Sequence, residues 1–209
     1  MQILLVAATS MEIAPFLQQK PAADHLITGV GCPSAIYHIT QRLHQIDYDL
    51  VIQAGIAGSY TNSLNLGDVV AVTKDNFADV GVLEKNKFYT IFEKGFTGED
   101  EFPFSKGWLN NDNQLLDQIF IKKVTAVTVN TVTDDELRIR QLVSKYDPQI
   151  ETMEGAALHY VCLQNSIPFL QLRGISNYVG ERDKVKWKIA ESVEQLNEDL
   201  IKIYDALIS

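Results

Sequence analysis

The sequence predicts an α/β layered domain, and three observations carry that prediction. Short apolar runs recur along the whole chain, at Ile3–Ala8, Leu50–Ala54, Asp68–Thr73, Val124–Val129 and Phe169–Gly174. Most are continuous rather than alternating, as strands covered on both faces are. Segments of helical period lie between them, and strands alternating with helices make a layered sheet. One domain over residues 1–209 suffices for 209 residues, because chains of this length usually form a single core.

The elements follow in order. Met1–Ala8 is apolar but has no basic flank and is too short to span a bilayer, so it reads as a buried first strand. Pro33 to Ile46 opens with a proline suited to a first helical turn and puts Ile36, Ile39 and Leu43 on one face. Thr133-Asp134-Asp135-Glu136 has the form of a capping box leading into a helix over 137–146. The segment 154–164 carries Ala157, Leu158, Val161 and Cys162 at helical spacing. In the last helix Val185, Ile189, Val193, Leu196, Leu200, Ile203 and Leu207 step by threes and fours. Asn76–Asn113 is aromatic, polar and glycine-rich, and reads as irregular loops over the site or at a subunit contact.

Composition excludes several classes. The chain is 46% hydrophobic and 22% charged, which argues against disorder. Eighteen Lys and Arg against 27 Asp and Glu give a net charge of −9, which repels nucleic acid and anionic lipid. No other stretch has the length of a membrane span, and a cytoplasmic location is expected. Cys32 and Cys162 form no metal-binding spacing and read as two reduced, buried thiols. The four histidines, His25, His38, His44 and His159, form no ligand cluster, so no metal or organic cofactor is implied.

Four segments following predicted strands are candidates for chemistry, because ligands in layered α/β folds collect there. In Thr9-Ser10-Met11-Glu12, Glu12 is a crevice carboxylate or an early-turn glutamate favoured by a helix dipole. In Gln53–Ser59, with Gly29-Val30-Gly31 upstream, the glycines either admit close backbone approach to a ligand or make tight turns. Neither fits a phosphate loop or a dinucleotide fingerprint. In Thr152-Met153-Glu154-Gly155, Glu154 either accepts two hydroxyls of a vicinal diol or stabilises a helix start, and Met153 offers apolar surface to a sugar. In Arg173-Gly174-Ile175-Ser176-Asn177, Asn177 offers both a donor and an acceptor, which suits a nucleobase edge as well as a turn. Arg173 itself is expected to pair with an internal carboxylate.

Taken together, these segments resemble the purine nucleoside phosphorylase superfamily, in its branch of nucleosidases related to methylthioadenosine/S-adenosylhomocysteine nucleosidase. The resemblance implies a three-layer fold with a central mixed sheet flanked by helices. It implies Glu12 as the base that activates water, Met153 and Glu154 as the ribose clamp, and Ser176 and Asn177 at the base. It also implies Val132 and Thr133 bordering the base, and the backbone of Ala57 and Gly58 lining the nucleophile pocket. A serine common in the glycine segment is Ile56 here, and the aspartate of the adenine-specific members is Asn177. The string from Gly174 to Asp183, with Lys186-Trp187, resembles the futalosine hydrolases, which release hypoxanthine in menaquinone synthesis. A small nucleoside substrate and a homo-oligomer are therefore expected. A phosphorylase, an adenine-type nucleosidase and a non-catalytic nucleoside binder are the alternatives.

Overall fold

The computed structural model describes residues 1–208. In chain order its elements are β1 (Ile3–Ala7), α1 (Ser10–Gln19), β2 (His25–Ile27), α2 (Cys32–Leu43), β3 (Leu50–Ser59) and β4 (Val69–Asp75). Then come β5 (Gly81–Glu84), β6 (Lys87–Thr90), β7 (Leu109–Asn110), α3 (Leu115–Gln118) and β8 (Lys122–Thr128). The chain ends with α4 (Glu136–Tyr146), β9 (Ile150–Thr152), α5 (Gly155–Gln164), β10 (Phe169–Tyr178) and α6 (Ile189–Ile208).

The main sheet is mixed. β3 pairs in parallel with β1 and β10, and antiparallel with β9. β4 pairs antiparallel with β10 and in parallel with β8, and β8 continues in parallel to β9. The strands β10, β4, β8, β9 and β3 therefore close into a ring, from which β1 and β2 extend.

Alternation along β1 explains its unbroken apolar run. Ile3, Leu5 and Ala7 pack with Ile13 and Phe16 of α1 and with Leu196, Leu200 and Ile203 of α6. Leu4 and Val6 face the opposite layer, against Ala35 and Ile39 of α2 and Leu158 and Val161 of α5. Both faces are covered, so no polar position is tolerated. A fully buried leucine there contributes about 1.5–3 kcal/mol.

Several expectations are corrected. The stretch from Gly55 to Ser59 is not a turn but the continuation of β3, because β10 and β9 supply hydrogen-bonding partners along it. The last helix starts at Ile189; Val185 lies in a 3₁₀ turn capped by Asp183 and is 91% exposed. The cap of α4 is Asp135, whose carboxylate accepts the N–H groups of Leu137 and Arg138, while the Thr133 hydroxyl accepts the Asp135 N–H. Segment 76–113 contains the β5–β6 hairpin, and β7 adds a short antiparallel strand to β4. Both cysteines are buried and unpaired, as expected.

Candidate active site

A cavity of about 240 Å³ opens where β1, β3, β9 and β10 end. Its wall includes Glu12, Ile56, Glu151, Met153, Glu154 and Asn177, and it contains no lysine or arginine. A second groove of about 340 Å³ lies between α3 and the end of α6. Its two charged residues, Asp199 and Lys202, are paired with each other at 2.9 Å, and the rest of its lining is apolar apart from Gln118, so no set of polar groups converges there.

Glu12 is buried in the first turn of α1, with three donors on its carboxylate. Oε2 accepts the Thr9 N–H at 2.8 Å and the Thr9 hydroxyl at 3.1 Å, and Oε1 accepts the Ile56 N–H at 3.1 Å. Asn197 of α6 fixes the backbone behind it. Its amide donates to the Glu12 carbonyl at 2.8 Å and accepts the Phe16 N–H at 3.0 Å. These two groups are one i,i+4 pair of a helix interrupted by Pro15, so a buried side chain stands where the helical ladder is weakened.

Glu154 caps α5. Its Oε1 accepts the Gly31 N–H at 2.7 Å, and Gly31 can aim that N–H because it adopts φ +95°. Burial raises the Glu154 carboxyl above the ordinary glutamate value; Arg173 and the Gly31 N–H oppose the rise, and the Glu12 charge adds to it. Beneath it, the Gly155 N–H donates to the Thr152 hydroxyl oxygen at 3.1 Å, and the Ala156 N–H to that of Thr128 at 2.7 Å. The Thr128 hydroxyl donates to Asp75, which burial pushes up to about 7. Two otherwise orphaned helix N–H groups are satisfied this way.

Gly155 must be glycine for space. A methyl group there would lie 2.2 Å from Gln171 Nε2 and 2.3 Å from Asp75 Oδ2. In an open helix Gly→Ala stabilises, by about 1 kcal/mol. Here Gly155→Ala is expected to cost about 1–3 kcal/mol through overpacking, lowering the thermal midpoint by several degrees. A melting curve at or above wild type would contradict this.

At the other corner, β10 carries a bulge: Ile175 pairs with Ala57 and Asn177 with Gly58, so Ser176 is the extra residue. Bulges re-aim side chains. The Ser176 hydroxyl reaches Asn177 Oδ1 at 2.8 Å, and Asn177 Nδ2 donates to the Tyr178 carbonyl at 3.1 Å. The amide keeps one hydrogen and one lone pair for a ligand. Glu151, which sequence reasoning missed, shares this corner. The signal was a carboxylate next to the apolar Ile150 and two positions before Met153 of the Met153–Glu154 pair.

Of the other expected residues, Val132 borders the cavity, while Thr133 does not. Ala57 and Gly58 line the Asn177 corner, and Ile56 supplies the N–H at Glu12. Arg173 has no carboxylate within ion-pair distance among the described residues. It donates to Gln53 Oε1 and packs against Gly55 on the Glu12 side. His159 is a core residue, its Nδ1 2.9 Å from the Leu109 carbonyl and its imidazole pushed down to about 4 by burial. No residue of 76–113 lines the cavity of its own chain, so of the two expectations for that stretch, loops over the site or at a subunit contact, the first is corrected for the chain's own site.

Comparison with known proteins matches the phosphorylase superfamily over residues 26–209. The chain belongs to that superfamily. It is 27% identical to the futalosine hydrolase of Thermus thermophilus, over 92% of this chain and 91% of that one. It is 28% identical to the 5′-methylthioadenosine/S-adenosylhomocysteine nucleosidase of Bacillus subtilis, over 78% of this chain and 71% of the relative. In structure it superposes on the futalosine hydrolase of Helicobacter pylori with TM-score 0.80 at 18% identity, covering 98% and 97%. This superfamily member thus has the mixed sheet flanked by helices that the resemblance implied.

Proposed function

We propose that this chain is a nucleosidase that hydrolyses the N-glycosidic bond of futalosine, releasing hypoxanthine on the way to menaquinone. The observation that carries the reading is the make-up of one cavity wall: Glu12, Glu154 and Asn177 around a shared space with no cation. A phosphorylase must hold phosphate against the sugar, and this wall would repel it. Arg138 instead stacks over Phe88, and Arg140 pairs with Glu136. The matches to futalosine hydrolases cover most of both chains and support the same substrate.

In this mechanism the bond to the base breaks early and leaves an oxocarbenium-like ribose. Glu154 holds the 2′ and 3′ hydroxyls, and its charge favours the cationic sugar. Glu12 positions a water opposite the base and takes its proton. Asn177 faces the departing purine. Hypoxanthine protonated at N7 shows one acceptor, O6, and one donor, N7–H, and an amide matches both. A carboxylate would set like polarity against O6. Asn177 carries no acidic proton, so the N7 proton comes from solvent. Arg182, stacked 5.8 Å from the Trp187 ring at the cavity edge, is suited to the carboxylated aromatic end of the substrate. The protein acts as one domain, in a homo-oligomer with Phe96 and Phe102 exposed for contact.

The test is hydrolysis of futalosine beside methylthioadenosine in phosphate-free buffer, for the wild type and for Asn177→Asp. Wild type is expected to favour futalosine. The aspartate is expected to lower kcat/KM for futalosine by about one to two decades, from a mispaired group worth about 1–3 kcal/mol, and to raise it for methylthioadenosine. A wild-type preference for methylthioadenosine, or turnover that requires phosphate, would overturn the reading.

A further inference from the structure

Glu151 is a buried carboxylate in the cavity wall to which the mechanism above gives no task. It stands on β9 opposite Gly58. A methyl group at Gly58 would lie 3.3 Å from Asn177 Nδ2 and 3.4 Å from Glu151 Cγ, so both side chains flank the same backbone position. Oε2 of Glu151 accepts the Tyr60 hydroxyl at 2.6 Å. Among the described residues no hydrogen bond reaches Oε1, and it is not a sealed-off atom. The site therefore presents one amide and, beside it, one unengaged carboxylate oxygen.

We infer that Glu151 reads the six-membered ring of the base, its Oε1 accepting the N1–H of a 6-oxopurine while Asn177 meets O6 and N7. The inference rests on the nucleosidase reading and deepens it. With Asn177 at the O6/N7 edge, the next position around the ring is N1. A 6-oxopurine carries a hydrogen there, whereas adenine carries a lone pair. A carboxylate oxygen attracts the first and repels the second. Two neighbouring groups then reject adenine by separate contacts, which is how a site built on hydrogen bonds achieves strong discrimination.

Tyr60 sharpens the reading. Burial, with the Glu151 charge, raises its phenol well above the ordinary value, so it stays a donor and keeps Oε2 occupied. Guanine would present N2–H beside N1–H and needs both carboxylate oxygens. With one oxygen taken, hypoxanthine is the better fit.

The test measures calorimetric Kd values of the free bases for wild type, Glu151→Gln and Tyr60→Phe. Wild type is expected to bind hypoxanthine about 10- to 100-fold tighter than 1-methylhypoxanthine or adenine. In Glu151→Gln the Tyr60 hydroxyl holds the new carbonyl and turns the NH₂ toward N1. The hypoxanthine-to-adenine preference should then fall by about tenfold or more, with adenine gaining. In Tyr60→Phe, guanine should gain on hypoxanthine, an arm that reports even if Glu151→Gln does not fold. Equal weakening of all bases by Glu151→Gln, or no guanine gain in Tyr60→Phe, would overturn the inference. A wild type that prefers adenine would instead overturn the nucleosidase reading for 6-oxopurines. The two failures are therefore distinct.

Discussion

Glu12→Gln is expected to lower kcat by about 10²–10⁴-fold, the range of a positioned general base. The substitution keeps the shape of the side chain and removes its ability to take a proton from water. Its geometry makes the effect interpretable. Every protein group on the carboxylate is a donor: the Thr9 N–H and hydroxyl on Oε2, and the Ile56 N–H on Oε1. An amide must therefore set its NH₂ against at least one of them. That mispairing is expected to cost about 1–3 kcal/mol in stability, visible as a lower urea midpoint. Asn197 should keep α1 in place, because its bonds run to the Glu12 carbonyl and the Phe16 N–H rather than to the carboxylate. KM should change little by comparison. Near-normal turnover in Glu12→Gln would remove Glu12 from the water-activating role.

What was legible in the sequence follows from how local each signal is. The run at β10 was readable despite the buried polar residues Gln171 and Arg173 within it, and the run at β1 because each residue, whichever way it points, meets an apolar layer. Burial alone writes that pattern. The end of β3 was not readable, since Gly55-Ile56-Ala57-Gly58 has weak strand propensity. It is a strand only because β10 and β9 pair with it from distant parts of the chain. The last helix erred in the opposite direction. Val185 continues the spacing of threes and fours, yet the Asp183 cap makes a separate turn there. Periodicity does not register where a helix begins.

The candidate site divides in the same way. Glu12, Glu154 and Asn177 stood out because each is polar beside an apolar strand end. Asn197 is also polar on an apolar helix face, but its purpose depends on Pro15, some 180 residues away in sequence and adjacent only in the fold. Glu151 lay within a three-residue strand too short to show a period. The bulge at Ser176 is a pairing irregularity between β10 and β3 and leaves no trace in either strand read singly.

Glu154→Gln is the second large effect, expected at about 10²–10³-fold in kcat/KM. The Gly31 N–H can still be met by the amide oxygen, so the loss falls on the sugar. One acceptor for the diol becomes a donor, and the negative charge beside the cationic ribose is gone. A hydrogen bond to a charged group contributes about 1.5–3 kcal/mol, and the charge term adds to it, which together make two to three decades. The pH dependence follows from the raised Glu154 carboxyl. Only the ionised form accepts both hydroxyls. Activity is therefore full above its folded pKa and is lost as pH falls through a value higher than the ordinary glutamate one, and Glu154→Gln lacks this component of the acid limb. A 2′-deoxy substrate separates the clamp from a general structural role. If Glu154 acts on the diol, the penalty of the substitution shrinks by about tenfold or more on the deoxy sugar, because one of the two partners is already missing. An equal penalty on both sugars would mean that the Glu154 carboxylate only holds the Gly31 N–H.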